Sequence, residues 1–174
     1  MITTDYKTAR SQIQDGDIIF VANKKTIVAR VIQFFTQSHY SHVCIAFWVT
    51  IAGVDRLMVV EAQGGTKRRV LNASFYDRFD LDVVKAPKDW NSYANEALSK
   101  IGEAKYGYFE AAYVGLREFL LKKFNIKLPR KNIDSDEEIC SEFVASLLGL
   151  AEVNVSPQAL WVELGSKVDL RIIV

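Results

Sequence analysis

Apolar positions follow two rhythms along this chain of 174 residues, and the change falls near its middle. In the first half they form short runs bounded by turn residues, the pattern of strands. Gly16-Asp17 marks a turn, and Ile18-Ile19-Phe20-Val21 predicts a short buried strand after it. Thr26 to Phe35 carries Ile27, Val31, Ile32 and Phe35 at helical spacing and predicts a short helix. His42-Val43-Cys44-Ile45-Ala46-Phe47-Trp48-Val49 is rich in β-branched and aromatic residues, as a central strand should be. Gly53-Val54-Asp55 predicts a hairpin turn, with Arg56 to Ala62 as the returning strand. Gly64-Gly65 turns the chain again, ahead of weaker strands at Arg69 to Leu71 and Leu81 to Lys85.

In the second half the spacing becomes helical. Asn91 to Glu103 consists of good helix formers behind Pro87, and Phe109, Ala112, Tyr113, Leu116, Phe119 and Leu120 make an apolar stripe. Leu128 to Asn132 reads as a loop. Ser135-Asp136-Glu137-Glu138 has the capping-box pattern, and predicts a helix running through Cys140 to Leu148 with Gly149 beyond its end. Ser156-Pro157 opens a short final helix, and Val168 to Val174 alternates as a last strand. Strands first and helices after, without regular alternation, predict an α+β fold with an antiparallel sheet, in one domain spanning residues 1–174.

Composition narrows the function classes. The chain is 49% hydrophobic and 25% charged, with a net charge of +1, so binding driven by a large electrostatic field, as to nucleic acid, is not expected. The basic runs Lys67-Arg68-Arg69 and Lys122-Lys123 read as solvated faces. No stretch reaches the ~20 apolar residues of a membrane span. Met1 to Tyr6 lacks the apolar core of a signal peptide, so a cytoplasmic protein is expected.

Cys44 and Cys140 are the two cysteines and His39 and His42 the two histidines, so thiol chemistry has few parts to draw on. Cys140 falls near the start of a predicted helix, where unpaired backbone N–H groups favour a thiolate. Asp136, Glu137 and Glu138 place opposing negative charge beside it. His42 opens an apolar strand, sharing one face with Cys44 and Ala46. Glu61 ends the partner strand, and folding about residues 52–54 returns it close to positions 42–46. A carboxylate closing an apolar run needs a hydrogen bond, and the His42 imidazole can supply one. A thiol, an imidazole and an orienting carboxylate are the parts of a nucleophilic triad.

Four segments carry a family likeness: Gly16-Asp17-Ile18-Ile19-Phe20, Ser38-His39-Tyr40-Ser41-His42-Val43, Val60-Glu61-Ala62 and Cys140-Ser141-Glu142-Phe143-Val144. In this order they resemble the circularly permuted NlpC-type papain-like cysteine hydrolases, YiiX-like branch. There the histidine strand comes first and the cysteine helix last. The likeness also touches Lys105-Tyr106-Gly107-Tyr108 and Ser156-Pro157. It implies a papain-like antiparallel sheet or small barrel packed against helices, with the nucleophile at a helix N-terminus. It further implies Cys140 as nucleophile, His42 as base and Glu61 as orienting residue, cleaving an amide through a thioester without metal or cofactor. Tyr40, Asp17 and Tyr106 are the candidate substrate-pocket residues. Cys44 stands where these families often have glycine, and the acidic run before Cys140 departs from them.

Three rival readings remain open. His39, His42 and Cys44 suggest zinc, but they are spread over two strand faces and no second ligand pair is evident. Lipid-acting acyltransferases and phospholipases of the lecithin–retinol acyltransferase type share the permuted order. They usually carry a histidine soon after the cysteine, where this chain has Ser141-Glu142-Phe143. The segment Phe109 to Phe124 with Lys122-Lys123 would then serve peripheral membrane contact. The third reading is a catalytically silent binding module on the same fold. The expected partner is accordingly a peptide- or lipid-like amide or ester.

Overall fold

The computed structural model describes residues 2–3, 5–23, 29–30, 33–34, 38–62, 68–99, 101–102, 116–117, 119–121, 123–129, 139–150, 155–165 and 168–174. Its strands are β1 (Ile2–Thr3), β2 (Ile18–Ala22), β3 (His42–Ile51), β4 (Val54–Glu61), β5 (Arg69–Asn72), β6 (Asp80–Val84) and β7 (Leu170–Ile172). They form one seven-stranded sheet in the order β1-β7-β6-β2-β3-β4-β5. Every pairing is antiparallel except β1 with β7. The mixed α+β class follows, with six strands in one antiparallel run. The sheet is not closed into a barrel, because β1 and β5 are its two edges rather than neighbours.

β2 and β3 sit at the centre because both their faces are apolar. Ile18, Phe20, Val43 and Ile45 point to one side, together with Phe143, Val144 and Leu147 of helix α3 (Cys140–Leu148). Ile19, Val21, Cys44 and Ala46 point to the other, where Tyr6 and Ala9 of helix α1 (Tyr6–Ala9) join Tyr76 and Phe79. Burying a Phe, Ile or Leu side chain this fully contributes about 1.5–3 kcal/mol, so these two layers hold the sheet and fix its register.

The β3–β4 hairpin turns at Ala52-Gly53, both at positive φ (50° and 75°), one position ahead of the expected Gly53-Val54-Asp55. Two consecutive residues in that region match the right-handed twist of the strands they join. The helix expected over Asn91 to Glu103 is shorter. A 3₁₀ turn, Trp90–Ser92, is capped by the Asp89 carboxylate, and α2 (Ala94–Ser99) follows it. The predicted helix over Thr26 to Phe35 and the stripe Phe109 to Leu120 lie largely outside the described residues. Positions 29–30, 33–34, 116–117 and 119–121 are helical.

α3 begins later than the capping box predicts. Ile139 is extended (φ −95°, ψ 160°) and Cys140 is the first helical residue; Ser135 to Glu138 lie outside the described residues. The Glu142 carboxylate reaches back to accept from the Ile139 N–H at 3.5 Å. At the other end Gly149 adopts the left-handed conformation (φ 70°) and Leu150 N–H donates to the Ala145 carbonyl at 2.9 Å. Helix α4 (Pro157–Glu163) follows, with Ser156 as N-cap accepting from Ala159 N–H at 3.1 Å. No helix among the described residues is long and apolar enough to cross a membrane.

Candidate active site

Ser41 sets where β3 starts. Its N–H and hydroxyl both donate to the Val21 carbonyl, at 2.9 and 3.2 Å, and its oxygen accepts from Asn23 N–H at 3.2 Å. His42 is thus held at the mouth of the strand, opposite Val21. From there its ring meets groups from three separate elements.

His42 Nε2 donates to Glu61 Oε2 at 2.8 Å. On the other side is Cys140, close enough for its charge to act on the imidazole. Since Nε2 is taken by Glu61, Nδ1 is the nitrogen left for the sulfur. The structure therefore brings together Cys140, His42 and Glu61, drawn from positions 98 residues apart at the extremes (140 − 42). Burial disfavours a charged His42 ring, but negative charge on Cys140 and on Glu61 outweighs it and lifts the pKa to about 10.

Glu61 is completely buried, as an ionised carboxylate rarely is. Burial alone would raise its pKa. The His42 charge and hydrogen bonds from His42, Tyr76 and Arg69 overcome that and hold it down at about 2. Arg69 Nε and Nη2 both reach Oε1, at 2.8 and 2.7 Å, from the position directly across the β4–β5 ladder. The Tyr76 hydroxyl donates to Oε2, the oxygen already bonded to His42. Tyr76 also stacks on the imidazole, with ring centroids 5.8 Å apart and 29° between planes.

Neither Arg69 nor Tyr76 is conspicuous in the sequence. Arg69 belongs to a basic run that reads as a solvated face, and the structure corrects this reading. Arg69 faces Glu61, while Arg68 is 4% exposed with its guanidinium 4.3 Å from the centre of the Phe143 ring. Only the β-ladder register, Glu61 opposite Arg69, would have exposed the first of these contacts.

The remaining expected site residues are distributed differently. Tyr40 is buried and donates its hydroxyl to Asp82 Oδ2 at 2.6 Å, and Arg171 grips the same carboxylate at 2.6 and 2.7 Å. It lines a cavity of about 200 Å³ with Ala22, Asp82 and Arg171. The cavity lies at the His42 end of the sheet, because Val21 pairs with both His42 and Leu81. Asp17, expected in the substrate pocket, lies away from His42. It precedes β2 at the opposite end, four residues from Val21, or about 13 Å along the strand. There its carboxylate accepts from Gln14 N–H at 2.7 Å and Lys85 at 2.9 Å, a clasp that joins the loop before β2 to the end of β6. Tyr106 lies outside the described residues.

Cys44 is buried with its thiol against the Ile19 carbonyl (3.8 Å), and burial with the nearby Glu61 charge pushes its pKa well up. His39 is exposed and offers its edge to the Tyr40 ring. Among the described residues no group of three or more His, Cys, Asp and Glu side chains is placed to hold a metal ion.

No family model matches the chain, and no curated protein matches it in sequence. Among the solved structures similar to it is the metalloprotein YiiX from Escherichia coli O157:H7, with a TM-score of 0.43 and 19% identity over 80% of this chain and 67% of that one. The chemistry of the site rests on its own residues.

Proposed function

We propose that this protein is a cysteine hydrolase that cleaves an amide bond through a thioester, on a circularly permuted papain-like fold. What carries the reading is the convergence of Cys140, at the first position of α3, with His42 and its hydrogen bond to the buried Glu61. In the proposed reaction His42 already holds the proton, and the Cys140 thiolate paired with it attacks the substrate carbonyl carbon. The resulting oxyanion lies beside the open N-terminus of α3, where the Cys140 N–H can donate to it. His42 then gives the proton to the leaving nitrogen, the C–N bond breaks and a thioester remains. Water, deprotonated by the same imidazole, attacks the thioester; the acid leaves, and the thiolate and the protonated imidazole are restored. Glu61 holds the ring and balances its charge throughout.

Two measurements test this. Iodoacetamide near neutral pH should label Cys140 faster than Cys44, read by peptide mapping, because Cys140 has a base beside it and a 5% exposed surface whereas Cys44 has none. Equal, slow labelling of both would end the catalytic reading. Turnover of peptide amides should persist until His42 loses its proton near pH 10, since leaving-group protonation needs the imidazolium. An alkaline limb near pH 7 would contradict the proposed charge balance. Hydrolysis of lipid esters with flotation on liposomes, and no amide turnover, would favour the lipid-acting reading instead.

A further inference from the structure

We infer that Arg69 and Tyr76 are positioning residues: they lock the Glu61 carboxylate, and through it the His42 ring, in the rotation that presents Nδ1 to Cys140. This rests on the proposed roles of Cys140 and His42. The need for such a lock comes from the glutamate itself. Its terminal torsion is broad and roughly twofold, so one hydrogen bond to His42 would not fix the plane of the carboxylate.

The contacts divide that plane between them. Oε1 is held by Arg69 through two nitrogens that converge on it, which pins that oxygen while Oε2 is held separately. Oε2 is shared by His42 and Tyr76. Tyr76 acts twice, since its ring also lies against the imidazole at a shallow angle of 29°. A side chain that merely satisfied a buried carboxylate would have no cause to stack on the base as well. The anchoring elements are consecutive: Arg69 opens β5, and Tyr76 ends the 3₁₀ turn Ala73–Tyr76 that follows it directly. The turn is itself capped, with the Asn72 side chain accepting from Ser74 N–H at 3.0 Å. Base and carboxylate are thus braced by one run of chain, residues 69–76, that carries neither of them.

Positioning and simple charge compensation predict opposite signs, which makes the inference testable. If Arg69 only neutralised Glu61, Arg69→Met would leave a stronger negative charge beside His42 and raise its titration midpoint. If Tyr76 only shared Oε2, Tyr76→Phe would likewise leave a stronger acceptor for Nε2–H. Under a positioning role both changes release the carboxylate, weaken its bond to His42 and lower the midpoint.

The experiment is an NMR titration of isotopically labelled histidine in the full chain, with folding checked by circular dichroism; His39 supplies the second ring. We expect the His42 midpoint to fall by about one unit or more in Tyr76→Phe and further in Arg69→Met, with faster solvent exchange of Nε2–H. Arg69→Lys should recover part of the loss, lacking only the second nitrogen. An unchanged or raised midpoint in folded Tyr76→Phe overturns the inference, and that variant keeps the stacked ring should Arg69→Met fail to fold. An unreactive Cys140 in the wild type would remove the hydrolase reading but leave these midpoints to decide the clamp.

Discussion

Cys140→Ala is expected to lower kcat/KM on an amide substrate by at least about a thousandfold, or about 4 kcal/mol of transition-state stabilisation, while leaving the fold intact. The residue is small and sits at the first position of α3, so alanine keeps the helix start and removes only a sulfur from a 5% exposed site. A stability loss of about 1 kcal/mol is the scale for that change. His42→Ala should cost as much activity, because the thiol then has no base within reach. The double variant should be scarcely worse than either single one, since nucleophile and base act as a unit. The controls lie in the same molecule. Cys44→Ala removes a thiol packed against the Ile19 carbonyl, and His39→Ala an exposed ring; both should retain most of the activity. Steady-state kinetics with thermal melts check the set. More than a tenth of wild-type activity in Cys140→Ala, or multiplicative losses in the double variant, would remove the proposed mechanism.

Those contrasts also show which features the sequence reveals and which need the fold. β3 and β4 are legible because each is a long apolar run with a turn between, and hairpin arithmetic then returns Glu61 to the neighbourhood of His42. The start of α3 is legible only to within a turn: Ser135 offers the local cap, but the extended Ile139 and the reach of Glu142 place it at Cys140. Local preference cannot see a tertiary constraint of that kind. β1 has two residues and depends on its parallel partner β7, so no periodicity could announce it. Arg69 and Tyr76 escape for different reasons. A basic run looks solvated until the β4–β5 register sets one member opposite a buried carboxylate. Tyr76 sits in a 3₁₀ turn, where neither a period of two nor one of 3.6 applies. For Asp17 the motif gives no end of the strand, and the structure sets it before β2, at the end away from His42.

Glu61→Gln should retain the fold but lose stability and activity together, and the stability loss should depend on pH. The amide has the carboxylate's shape but replaces one acceptor oxygen with a donor. Facing Arg69, that donor opposes a guanidinium; facing the other way, it opposes Nε2–H of His42 and the Tyr76 hydroxyl. Either choice leaves buried donors facing one another and removes the Glu61 charge from beside Arg69 and His42, for which about 3–5 kcal/mol is the scale. In a chain this long that lowers Tm by about 10 °C. The acid dependence follows from the carboxylate's pKa, held at about 2 against an ordinary value of 4.5. A lowered folded-state pKa means that its contribution is fully present above about pH 4.5 and is lost as pH falls towards 2. The difference corresponds to about 3 kcal/mol for this fully buried group. His42 works in the opposite sense, its contribution being complete below its ordinary 6.5 and lost only as pH rises through about 10. Between pH 6 and pH 3, therefore, Glu61 titrates while His42 stays constant. Urea unfolding at pH 6, 4.5 and 3 should show wild type and Glu61→Gln converging as the pH drops. A gap that stayed constant across that range would mean that Glu61 is not held as a buried anion, and the support it gives to His42 would fall with it.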